Sequence, residues 1–72
     1  MTPRQIIDET CRQFQLKTAQ LLGPERWNWR VQARRYAAKR MRDELQMDYG
    51  EIGRRLGGRH RTTILSLLGA LG

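Results

Sequence analysis

Residues 50–71 have the sequence GEIGRRLGGRHRTTILSLLGAL, and this stretch decides the fold. Ile52 and Leu56 lie four residues apart and precede Gly57-Gly58, which predicts a short amphipathic helix that ends at the two glycines. A second apolar stripe follows at helical spacing and consists of Ile64, Leu67, Leu68 and Leu71. Two amphipathic helices joined by a tight glycine turn are typical of a helix-turn-helix.

Three more helices are predicted upstream. Thr2-Pro3-Arg4-Gln5 is a typical helix start, whereas Gly23-Pro24 is a typical helix end. Asp48 and Glu51 have the spacing of a capping box for the fourth helix. The five predicted helices cover about 3–14, 18–22, 28–46, 49–56 and 60–71. The sequence therefore predicts a small all-α fold, as one domain over 1–72, because a chain this short supports a single modest core.

The third predicted helix combines a narrow apolar stripe with basic residues. The stripe consists of Val31, Ala33, Ala37, Ala38, Met41 and Leu45. An acid-free basic run overlaps it and consists of Arg26, Arg30, Arg34, Arg35, Lys39, Arg40 and Arg42, and a second basic cluster consists of Arg54, Arg55, Arg59 and Arg61. The net charge of +7 is therefore concentrated near the helix-turn-helix, which favours double-stranded DNA as the partner.

The first turn of the last helix is expected to enter the major groove. Arginine can donate two hydrogen bonds to guanine, and threonine offers a methyl group to thymine or a hydroxyl to phosphate. The predicted major-groove residues are Arg59, His60, Arg61, Thr62 and Thr63, although one threonine could instead cap the helix. The predicted contacts to phosphates or the minor groove are Arg30, Arg34, Arg35 and Lys39. About six phosphate contacts would give a slope near −5 for log K against log salt.

Two separated blocks of residues carry a family resemblance. The first consists of Glu51-Ile52-Gly53, Leu56-Gly57-Gly58-Arg59 and Thr62-Thr63-Ile64-Leu65, and the second consists of Leu21-Leu22 and the basic run up to Glu44-Leu45. Over roughly residues 5–70 the chain resembles the C-terminal DNA-binding domain of the bacterial replication initiator DnaA, which has a helix-turn-helix fold of the Trp-repressor type. The resemblance implies that Arg59 and the four residues after it contact the major groove, and that Arg35 enters the adjacent minor groove.

Two departures from the family pattern affect the expected target. The family typically has Asp-His before the threonine pair, where this chain has His60-Arg61. An aspartate accepts from the amino group of cytosine, which neither replacement does, so we expect an altered site that is richer in guanine. The connection before Glu51 is also one residue shorter, which would re-aim the first helix of the motif.

The sequence gives little support for other classes of function. Cys11 is the single cysteine, and no histidine lies at metal-ligand spacing, so no disulfide or metal site is expected. No nucleophile-base arrangement, carboxylate pair or phosphate-binding Gly-x-x-x-x-Gly-Lys motif occurs, so we expect no catalytic site, cofactor or small-molecule substrate. No apolar run approaches the roughly 18 residues of a membrane span, which predicts a cytoplasmic, nucleoid-associated protein.

Several alternatives stay open at this point. The domain would regulate transcription or replication by binding DNA, or it would be a protein-interaction module for an acidic surface of a replication or transcription protein. A freestanding domain of this type resembles regulators carried by phages, and a fragment of a longer protein would look the same. Because one small interface binds weakly, a dimer, tandem sites, a second domain and a protein partner are all open alternatives. Trp27 and Trp29 either pack on the core, flank the phosphates or stack on bases.

Overall fold

The structure is a computed structural model and describes residues 1–24 and 28–69. Within these ranges there is no strand, and the regular elements are α1 (Pro3–Phe14), α2 (Thr18–Leu22), α3 (Asn28–Leu45), α4 (Tyr49–Arg55) and α5 (Arg61–Leu67). The predicted all-α fold is therefore confirmed. No helix in the described part of the chain is both long enough and apolar enough to span a membrane.

Helix α1 begins and ends at recognisable caps. The hydroxyl of Thr2 accepts from the backbone N–H of Gln5, while the Gln5 side chain accepts from the backbone N–H of Thr2 at 2.7 Å. Pro3 occupies the first helical position, where the missing N–H costs no hydrogen bond. The helix ends at Phe14, and Gln15 follows as a left-handed cap with a φ of 56°.

The connection between α3 and α4 differs slightly from the prediction, in one helix boundary and in the capping box. Helix α3 ends at Leu45, one residue early, because Gln46 adopts a left-handed φ of 53°. Asp48 caps α4 by accepting from the N–H of Glu51 at 2.9 Å. The Glu51 carboxylate binds the guanidinium groups of Arg54 and Arg55 instead of reaching back to the cap, so only half of the predicted capping box forms.

Helix α5 is shorter than predicted at both ends. His60 is its N-cap, so the helix begins at Arg61, and it ends at Leu67. Leu68 is the C-cap and Gly69 follows with a φ of +74°, which closes the last turn. The prediction for Leu71 lies outside the described residues.

The core lies where α1, α3 and the α4–α5 pair meet. Helix α1 packs mainly on α3, and α4 packs mainly on α5. The largest completely buried hydrophobic side chains are Ile6, Leu21, Met41, Ile52, Leu56 and Ile64. The small residues Ala33, Ala37 and Ala38 are completely buried too, so α3 approaches its neighbours closely. This packing holds one flank of α3 beside α5, where the candidate site lies.

Candidate nucleic-acid interface

Two adjoining grooves separate α3 from α5, and Arg35, Ser66 and Leu67 line both of them. One groove, of about 800 Å³, continues to the first turn of α5 and to the glycine turn. The other, of about 600 Å³, continues along α3 to Tyr49. The exposed side chains along the two grooves include one acid, Asp43. We call the other exposed polar residues there the α3–α5 face: Arg35, Lys39, Arg42, Thr62, Thr63 and Ser66.

Internal partners engage Arg35 and Lys39 of α3 only in part on this face. Arg35 donates through Nε to the carbonyl of Leu67 at 2.8 Å, a bond that ties α3 to the end of α5 and leaves the terminal nitrogens of the guanidinium for other acceptors. Lys39 lies 3.6 Å from Asp43, and both side chains are largely exposed. Such a surface pair contributes about 0–1 kcal/mol, so a phosphate can displace it.

Arg42 extends the row of cations by almost two turns from Arg35. Its guanidinium donates to the carbonyl of Met47 at 2.9 Å and lies over the ring of Tyr49 at 4.7 Å. This arrangement keeps the charge at the surface and fixes its direction. Sequence reasoning missed Arg42 as a site residue, although it lies seven residues after Arg35 and therefore on the same side of the helix.

His60 begins α5 as its capping residue. Its Nδ1 accepts from the backbone N–H of Thr62 and also lies 3.1 Å from the Thr62 hydroxyl. The cap is therefore the histidine, and neither threonine of the pair fills that role. Thr62 and Thr63 are both exposed along the groove, and their contact with DNA stays a prediction.

Arg61 occupies the first position of α5. It is exposed, and within the described ranges its guanidinium has no hydrogen-bond or ion-pair partner. All five donors of the guanidinium are therefore available to an outside acceptor at the tip of this helix.

Arg34 and Arg59 were predicted to contact DNA, but both guanidinium groups bind backbone carbonyls, and of the two Arg59 also lines the groove beside the first turn of α5. Arg34 is only 4% exposed, and it donates to the carbonyls of Leu21 at 2.6 Å and Gly23 at 2.7 Å. Arg59 donates to the carbonyls of Leu22 at 3.2 Å, Leu56 and Gly23. These bonds leave the Arg34 guanidinium no surface for a phosphate, which corrects that prediction, and they occupy the fork that Arg59 would need to bind guanine.

Burial lowers the pKa of both guanidinium groups. It lowers the pKa of the Arg34 guanidinium, and the nearby charges of Arg59 and Arg30 lower that pKa further. Burial alone lowers the pKa of Arg59. Arginine starts from so high a value that both groups stay charged at neutral pH.

Arg30 also lies off the α3–α5 face. It is 9% exposed and lies over the ring of Trp29 at 5.0 Å, so little of it is available for the predicted contact with a phosphate or the minor groove. Trp29 is itself 46% exposed, so it does not pack in the core. The prediction for Trp27 lies outside the described residues.

The glycine turn packs tightly against two other segments. A Cβ on Gly53 would collide with the backbone carbonyl of Arg59, whose own N–H donates to the Gly53 carbonyl at 2.8 Å. Gly57 has a φ of +90°, and a Cβ there would lie closer than 3.0 Å to the carbonyl oxygen of Leu22. The turn can therefore approach α4 and the end of α2 only because these positions lack side chains.

Comparison with known proteins agrees with this arrangement of α4, glycine turn and α5. The family described as "Bacterial dnaA protein helix-turn-helix" matches residues 3–68. The chain belongs to this family. It is 40% identical over 65 residues, or 90% of its length, to the chromosomal replication initiator protein DnaA of Thermomicrobium roseum. It spans 14% of that relative's length. No solved structure matches significantly.

The DnaA-type helix-turn-helix of this chain thus consists of α4, the turn and α5, with α3 beside it. Sequence reasoning placed the threonine pair and Arg61 at the exposed start of α5, where the structure has them. It missed Ser66, which lies one helical turn after Thr62 and Thr63 and lines both grooves. The spacing of three to four residues was the available signal.

Proposed function

We propose that this chain binds double-stranded DNA in a sequence-dependent way, with the start of α5 in the major groove and α3 beside the adjoining phosphates. The observation that carries the proposal is the α3–α5 face. It brings a row of three cations on α3 next to the exposed threonines of a DnaA-type helix-turn-helix. Membership of the family supports the same function, since helix-turn-helix domains insert their second helix into the groove.

Arg61 is the proposed source of base preference. Its guanidinium has no partner within the described ranges and projects from the first turn of α5, so it can donate two hydrogen bonds to O6 and N7 of a guanine. The methyl groups of Thr62 and Thr63 can contact thymine on neighbouring base pairs. We therefore propose a target site that contains guanine opposite the tip of α5.

His60 has a supporting role in this proposal. Because its Nδ1 caps α5, the ring is held at the helix start, and its Nε2 is the nitrogen left for a contact with DNA. The ring therefore stabilises the turn that presents Arg61.

Helix α3 supplies the contacts that do not depend on sequence. Lys39 and Arg42 would bind phosphates along one edge of the groove. Arg35 stands nearest α5, and its terminal nitrogens can reach into the adjacent minor groove, as the family resemblance implies. Such contacts fix the register of the protein on the duplex.

We propose that the biological setting is replication initiation or the regulation of transcription. Similarity to a chromosomal replication initiator supports the first. A cytoplasmic, nucleoid-associated location follows if the chain acts on chromosomal DNA. The chain would then supply the DNA contact, and other domains or partners would supply the remaining steps.

Selection of bound duplexes from a randomised DNA library tests the proposal. The variants are Arg61→Ala and, as a matched control, Arg12→Ala, which removes an exposed arginine that lines neither groove. We expect a motif containing guanine for the wild type and Arg12→Ala, and loss of preference at one base pair for Arg61→Ala. Binding without a motif would reduce the function to nonspecific coating of DNA. No binding to any duplex would favour the protein-interaction alternative.

A further inference from the structure

Two arginines from distant segments converge on the end of α2. Arg34, from α3, donates to the carbonyls of Gln20, Leu21 and Gly23. Arg59, from the glycine turn, donates to those of Leu22, Gly23 and Leu56. The last carbonyls of a helix have no partner inside it, so they accept from outside donors. We call these two guanidinium groups and their acceptors the carbonyl clamp. Both bind the carbonyl of Gly23.

We propose that Arg59 is a positioning residue that acts through the carbonyl clamp, and that it does not contact bases itself. This inference rests on the proposed function. Arg59 directly precedes the cap of α5, and its backbone N–H is bonded to Gly53 of α4. Its side chain therefore connects the helix-turn-helix to the end of α2, where Arg34 is anchored from α3. The clamp sets the distance and angle between the tip of α5 and the cations of α3.

The chemistry of the clamp requires arginine. Within the described ranges neither guanidinium is paired with a carboxylate, so the bonds join charged donors to backbone dipoles. The planar fork of arginine can bind several carbonyls at fixed angles, whereas a lysine ammonium is a point charge on a flexible stem. A lysine at position 59 would keep the charge and lose the geometry. This difference separates a clamp from a contact with phosphate.

The experiment measures the affinity for a duplex selected by the wild type, over a range of salt concentrations. The clamp variants are Arg59→Ala and Arg59→Lys, and the controls are Lys39→Ala and Arg61→Ala. We expect both clamp variants to lose at least about tenfold in affinity, as for a lost hydrogen bond from a charged donor. We expect them to keep the wild-type salt slope and the wild-type order of preference among single-base variants of the site.

Two results would overturn the proposal. A salt slope smaller by about 0.9 in Arg59→Ala, with recovery in Arg59→Lys, would make Arg59 a phosphate contact. Loss of preference at a single base pair would make it a base contact. The proposed function itself has failed if neither Lys39→Ala nor Arg61→Ala changes the affinity for the duplex, or if the wild type binds no duplex.

A second measurement, on the free protein, does not depend on DNA. Hydrogen exchange of backbone amides in 53–64 should accelerate in Arg59→Ala, while the amides of 6–11 in α1 should exchange as in the wild type. Unchanged exchange in both segments would contradict the clamp whatever the DNA result. If Arg59→Ala does not fold, Arg59→Gln, which keeps one donor group, is measured against the same two criteria.

Discussion

Replacing Gly57 or Gly58 by alanine separates backbone strain from close packing in the glycine turn. The two glycines are neighbours with similar left-handed φ values, +90° and +76°. A Cβ on Gly58 meets nothing within 4 Å. A Cβ on Gly57 would lie closer than 3.0 Å to the Leu22 carbonyl oxygen, and 2.8 Å from a terminal nitrogen of Arg59. The two variants therefore share the strain and differ in the collision.

The expected destabilisation follows from these two contributions. A left-handed conformation costs an alanine about 1–2 kcal/mol, which applies to both variants. In Gly57→Ala the Leu22 carbonyl must also move away from Arg59, and a lost hydrogen bond to a charged donor costs about 1.5–3 kcal/mol. We expect the free energy of unfolding to fall by about 1–2 kcal/mol in Gly58→Ala and by about 2.5–5 kcal/mol in Gly57→Ala.

Thermal unfolding followed by far-ultraviolet circular dichroism measures this difference. For a domain of this size 1 kcal/mol corresponds to about 4–8 °C, so Gly57→Ala should melt roughly 6–24 °C below Gly58→Ala. Gly57→Ala should also bind the selected duplex more weakly at a temperature where both variants are folded. Equal melting temperatures would refute the reasoning, because they would mean that the contact between the turn and Leu22 contributes nothing.

Three further outcomes are expected. Lys39→Ala should weaken binding to all duplexes alike and reduce the salt slope by about 0.9, measured by titration at several salt concentrations. Burial raises the pKa of the Cys11 thiol, so Cys11 should react with a disulfide reagent slowly in the native protein and rapidly in urea; fast native reaction would contradict its burial. The hydrogen bond from Arg54 lowers the pKa of Glu51. This bond therefore stabilises the folded protein at any pH above the ordinary pKa of a glutamate, and the stabilisation is lost as the pH falls through the lowered pKa of Glu51. Carboxylate titration by NMR should show this pKa rising in Arg54→Ala.

Apolar spacing and turn residues made the helices predictable. Ile52, Leu56 and Ile64 fall at intervals that only paired amphipathic helices can bury together, and all three are completely buried. Gly57-Gly58 marked the turn because a left-handed backbone there favours glycine. The end of α5 was less predictable, since Leu68 continues the apolar pattern although it lies outside the helix.

The direction of each arginine was harder to predict, although part of the signal was present. Arg34 lies four residues before Ala38 and seven before Met41, so it belongs to the buried side of α3. Sequence reasoning assigned it to the basic face because it is charged. Its burial depends on two backbone carbonyls at the end of α2, those of Leu21 and Gly23, which lie thirteen and eleven residues away. No local sequence pattern predicts that pairing.

Because some arginines bind inside the protein and others are exposed, the net charge of +7 overstates the charge available to DNA. Internal partners occupy several cations: Arg34 and Arg59 bind backbone carbonyls, Arg40 binds Glu9 and Glu44, and Arg54 and Arg55 bind Glu51. Among the described residues, the exposed cations on or beside the α3–α5 face are Arg35, Lys39, Arg42 and Arg61. About four phosphate contacts in place of six would give a slope near −4 rather than −5 for log K against log salt, and with Arg61 bound to a base, as proposed, about three contacts would give a slope near −3. A measured slope of −5 or steeper would mean that cations beyond these four also reach phosphates, and loss of the extra slope in Arg59→Ala would identify Arg59 as one of them.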